Sequence, residues 1–78
     1  MYDPMIELMR TLAEGVEVDE TFATDLATLA REAEAGGYSA FANAFIANSR
    51  LHRMKAIQWR ATLGVLMELY DPYEQKLK

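Results

Sequence analysis

Apolar residues near the start of the chain recur at helical spacing, at Met5, Leu8, Met9 and Leu12. Asp3-Pro4 stands just ahead of them. Asp is a good N-cap, and Pro suits the first helical position, where its missing N–H costs nothing. A first helix is predicted to open there and to end at Gly15 as its C′ residue. Val16 to Val18 then reads as a short connection. A second stripe follows at Phe22, Leu26, Leu29, Ala30 and Ala33, with Asp19 as its cap and Glu20 adding negative charge at the positive end of the helix dipole. Thr24, Asp25, Thr28, Arg31 and Glu32 fall mostly outside that stripe. Gly36-Gly37 stops the second helix and turns the chain. Ser39 is placed to cap a third, which meets no breaker until Asp71-Pro72. Read literally, it runs from about residue 40 to Tyr70, or about 45 Å at ~1.5 Å per residue. Asn48-Ser49 is its one internal weak point. No segment alternates apolar and polar residues for long. The expected fold is all-α: a three-helix antiparallel hairpin or bundle with a long third helix. Residues 1–72 form a single helical domain and 73–78 a polar C-terminal tail.

The lengths of these helices do not match. An antiparallel hairpin pivoting at Gly36-Gly37 places Phe22 near Leu51 and Leu29 near Ala44. Nothing in the second helix then reaches Ile57, Trp59, Leu63, Leu66, Met67, Leu69 or Tyr70. Either the first helix folds alongside them or a second copy of the chain does. At 78 residues the chain is small, and a domain of this size buries only ~60% of the surface its unfolded chain exposes. Small domains compensate with disulfides, metals or oligomerisation, and this chain has no Cys. A homodimer joined through the overhang, completing a four-helix arrangement, is therefore expected.

Charge is unevenly placed. The whole chain has a formal net charge of −4 and a pI near 4.8. Residues 1–37 hold nine acids and two bases, and residues 38–78 three acids and six bases. No acid occurs between Glu34 and Glu68, whereas Arg50, Arg53, Lys55 and Arg60 all do. The absence of Cys removes thiolate catalysis and Cys-based zinc sites. No apolar run is long enough for a membrane span, and the N-terminus lacks the pattern of a signal peptide. A cytoplasmic location is the default expectation.

The segment Leu29-Ala30-Arg31-Glu32-Ala33-Glu34-Ala35-Gly36-Gly37-Tyr38, followed by Ala42, Phe45, Ser49 and Ala56, resembles the helical hairpin of rubrerythrins, members of the ferritin-like superfamily. The resemblance covers about residues 19–56 and implies half of a four-helix bundle. It also implies a di-iron site, with a glutamate from one helix and Glu-x-x-His from the next. Those ligands fall at Asp19, beside Glu20, and at His52-Arg53-Met54-Lys55. His52 stands where the family has Glu, and Lys55 where it has His. A protonated lysine repels cations and is a poor ligand, so the family's metal site is not retained and no cofactor is expected.

Among the remaining candidates, His52 is the only imidazole, and the hairpin register brings it level with Asp19 and Glu20. One reading is a metal site completed between chains, built from Glu20 and His52 with Glu32 or Asp19. The expected reading is an imidazole hydrogen-bonded to an acid within the bundle, since one His and one or two carboxylates fall short of a transition-metal ligand set. The basic face of Arg50, Arg53, Lys55 and Arg60, with Trp59, could track a phosphate backbone. Neutralisation by Asp19, Glu20 and Asp25 is the expected alternative. Tyr2, Tyr70 and Tyr73 near the termini could belong to an interface, where Tyr is enriched. No Ser has a convincing base and no phosphate-binding glycine motif appears. The expected function is a small, non-enzymatic interaction or regulatory module, an inhibitor or adaptor, acting as a homodimer toward a protein partner. The alternatives are a metal-binding ferritin-like protein with an interchain site and nucleic-acid binding through the third helix.

Overall fold

The computed structural model describes the backbone of residues 3–77 and the side chains of residues 3–70. It contains two helices, not three. Helix α1 spans Pro4–Ala35 and α2 spans Ser39–Leu77, and they pack antiparallel as a single hairpin. The expected break at Gly15–Val18 does not occur: α1 runs through it for 32 residues. Asp19 is therefore mid-helix and not a cap. Helix α2 is continuous through Asn48-Ser49, and its backbone continues past Pro72 to Leu77.

The reason α1 survives Gly15 lies in a repeat longer than the local stripe. Met5, Met9, Leu12, Val16, Asp19, Ala23, Leu26, Ala30 and Ala33 follow one another at alternating steps of four and three. In α2, Ala42, Phe45, Ser49, His52, Ala56, Trp59, Leu63, Leu66 and Tyr70 do the same. This is the seven-residue repeat of a two-stranded coiled coil. Of these eighteen residues all but Trp59 are buried or half-buried. A lone helical Gly costs about 0.5–1 kcal/mol relative to Ala, which a seam running unbroken on both sides of it outweighs.

The ends are fixed locally. Asp3 caps α1, its Oδ1 accepting from the backbone N–H of Met5 at 2.9 Å and Ile6 at 3.4 Å, with Pro4 in the first turn. At the other end, Tyr38 N–H donates to Ala33 O (2.8 Å) and Gly37 N–H to Glu34 O (3.1 Å). These are the paired bonds of a Schellman turn, with Gly37 as the left-handed C′ residue at φ 82°. Ser39 is already helical. Tyr38 supplies the capping carbonyl to Ala42 N–H instead, so Ser39 does not play the cap role its sequence position suggests.

The core is narrow. Its fully buried members are Val16, Ala23, Ala30, Ala42, Ser49 and Ala56. They face one another as small-against-small layers: Val16 with Ala56, Ala23 with Ser49, Ala30 with Ala42. Ser49 Oγ donates to Ala23 O across the seam at 2.7 Å. A serine side chain reaches the opposite backbone only where the helices lie close. The molecule is a rod of 61 × 20 × 11 Å. Its radius of gyration is 17.8 Å, against about 11.5 Å for a compact domain of this length. Among the described residues no helix is long and apolar enough to cross a membrane.

Candidate functional site

The seam carries one polar layer. Asp19 and His52 occupy facing positions at mid-height, and His52 Nδ1 lies 2.8 Å from Asp19 Oδ1. Both side chains are largely covered, at 29% exposure for His52 and 14% for Asp19. Phe22 stacks on the imidazole with ring centroids 5.2 Å apart and planes 21° from parallel. The hydrogen bond satisfies a polar pair that the heptad places between apolar layers, and the Phe22 ring shields it. Glu20, the neighbouring acid, turns to the other flank of the hairpin and pairs with Arg60. Among the described residues no group of three or more His, Asp or Glu side chains gathers as a metal site would need. Glu32 lies exposed on α1, far along the helix from this layer.

The two flanks of the hairpin differ in chemistry. One bears Glu20, Arg53 and Arg60, which together with Thr24, Ala56 and Ile57 line a shallow cleft. Toward the open end of the rod this flank becomes a mainly apolar groove lined by Ile6, Met9, Ala13, Leu63, Met67 and Tyr70, with Arg10 at its edge. Tyr70 closes that end, its hydroxyl donating to Asp3 Oδ2 at 3.1 Å. Asp3 therefore caps α1 with one oxygen and ties α2 to it with the other. The opposite flank, on the Phe22–His52 side, carries Leu8, Phe22 and Leu29 from α1 and Phe41, Leu51 and Leu69 from α2. Each is 43–63% exposed.

The residues expected to form an interface are thus divided. Leu63, Leu66 and Tyr70 are half-buried in the intramolecular seam, because the uninterrupted α1 reaches them. Ile57, Trp59, Met67 and Leu69 remain exposed. The basic residues divide too: the helical repeat sets Arg53 and Arg60 on the Glu20 flank, with Arg50 on the same side farther from the seam, and Lys55 on the opposite flank. Tyr2 and Tyr73 lie outside the described side chains. The sequence stripes also placed Leu8, Phe22 and Leu29 inside, whereas they flank the seam. Their spacing, seven and multiples of seven and always one residue before Met9, Ala23 and Ala30, is the signal that separates flank from core.

The chain matches no protein-family model, no curated protein and no solved structure.

Proposed function

We propose that this chain is a non-enzymatic helical interaction module whose working form is a homodimer, each hairpin contributing half of a larger helical bundle. One observation carries the reading. Fifteen large apolar side chains among the described residues are exposed, while the fully buried positions hold nothing larger than valine. The hairpin fully covers only small residues and leaves its large ones half-buried in the seam or exposed, the reverse of a self-sufficient monomer. Exposed apolar surface of this extent on a small protein marks an association site. The accessible surface is 6003 Å², about 1,200 Å² more than a compact monomer of this mass exposes. A standard stable interface removes about 800 Å² from each partner.

Light scattering on the purified chain, coupled to gel filtration at tens of micromolar, tests the reading. The expected mass is twice the 8.8 kDa of one chain. A single-chain mass across that range contradicts it.

A further inference from the structure

We propose that the second copy docks on the Phe22–Leu51 flank about a two-fold axis running parallel to the helices. Both turns then lie at the same end of a four-helix bundle, and α1 of each protomer packs along α2 of the other. The inference rests on the homodimer reading and adds the face and the orientation.

The choice of face follows from the contrast between flanks. On the other flank Glu20 already pairs with Arg60, and docking there would desolvate that pair and Arg53 beside it. The Phe22 flank carries both exposed phenylalanines, Phe22 and Phe41, with Leu8, Leu29, Leu51 and Leu69, whereas the Glu20–Arg60 flank exposes only aliphatic groups such as Ile6, Ile57 and Met67. Phe22 at its centre is held in place by stacking on His52, so it loses little conformational freedom on docking.

Orientation follows from register and charge. A two-fold axis along the helices leaves the height of every residue unchanged. The hairpin sets Ala23 level with Ser49. The same levels bring Leu8 opposite Val65 of the second copy, Phe22 opposite Leu51, and Leu29 opposite Ala44. The break in the α1 row at Gly15 meets the break in the α2 row at Gln58. Leu8, Phe22 and Leu29 thus each meet an apolar side chain, whereas Phe41 and Leu69, on the neighbouring row of α2, lie level with Glu32 and Pro4. An axis perpendicular to the helices would instead lay α1 on α1 and α2 on α2. The α1 side of this flank is rimmed by Glu14, Asp25 and Glu32, whereas the α2 side carries Lys55 and no acid before Glu68. Stacking α1 on its own copy sets acid rows against each other, and like charges juxtaposed across an interface are costly. The parallel axis instead sets each acid-rimmed α1 against an α2 that carries Lys55, near the level of Val18, and no acid before Glu68. Such an interface is isologous and closes at two copies.

Because the chain has no Cys, single spin labels are unambiguous. Ala40→Cys and, separately, Ala35→Cys place a label on exposed helix positions beside the turn, away from the proposed contact rows. Pulsed dipolar spectroscopy on each labelled protein, with circular dichroism confirming unchanged helicity, reads the distance between the two turns. The expected result for both is a label separation of about 20–30 Å, set by helix spacings of 8–10 Å and the label arms. A distance of about 40 Å or more puts the turns at opposite ends of the rod. That result overturns this orientation while leaving the homodimer reading intact. Absence of a dipolar signal at concentrations where scattering gives a single-chain mass overturns both.

Discussion

Gly37 sits in the left-handed region because the chain must reverse within three residues between two long helices. Side chains with a Cβ resist that conformation by roughly 1–2 kcal/mol. Gly37→Ala should therefore lower stability by about that amount in urea unfolding. Gly15 is the opposite case. It is an ordinary helical residue, and a Cβ added there meets nothing within 4 Å. Gly15→Ala should raise stability by about 0.5–1 kcal/mol through helix propensity alone; a loss of stability would show that the chain does need a break near Gly15. At the polar layer, removing His52 leaves the largely covered Asp19 carboxylate without its partner. His52→Leu should cost about 1–3 kcal/mol. The pair Asp19→Leu with His52→Leu should recover most or all of that loss, because an apolar layer of similar volume replaces a hydrogen-bonded one. If the double variant is as unstable as the single one, the layer contributes more than local satisfaction of polar groups.

Along each helix, the seven-residue repeat does what the local stripes do not. The cap at Asp3, the stop at Gly36-Gly37 and the pairing of His52 with Asp19 are legible in the sequence, because each depends on a few neighbouring residues or on a register fixed by one turn. The continuity of α1 is not legible from Gly15 and its neighbours. A Gly after a short apolar stripe reads as a C-terminus, and only the phase of Val16 and Asp19 relative to Met9 and Ala23 shows that the seam continues. The same phase separates Phe22 and Leu29, which flank the seam, from Ala23 and Ala30, which fill it. Size misleads here, since large apolar residues are expected inside and small ones are tolerated anywhere. In a hairpin this close-packed, the small residues are the core. Ser49→Leu should accordingly be destabilising by about 1–3 kcal/mol through overpacking against Ala23. Ser49→Ala should cost only about 0.5–1.5 kcal/mol, from the lost hydrogen bond. Comparison of the two midpoints in urea checks the order; equal costs would mean that the helices are not in close contact at this layer.

As a whole molecule, the hairpin is a thin rod whose apolar surface lies largely on its outside. Its seam supplies register, through the small layers, the Ser49 bond and the Asp19–His52 pair. The mass of buried side chains that stabilises a compact domain is missing from it. In the proposed dimer, association on the Phe22 flank would supply that burial, so folding and pairing should be coupled. Phe22→Asp together with Leu51→Glu should shift the protein toward monomer and lower helicity, read by scattering and circular dichroism on the same sample. The most direct test of this coupling is the urea midpoint of the unmodified chain over a hundredfold range of protein concentration. If pairing completes the fold, the midpoint rises steadily with concentration, as mass action requires of a native state held together by its partner. A cooperative transition whose midpoint stays constant over that range would show that the single hairpin is stable alone, and would contradict the account.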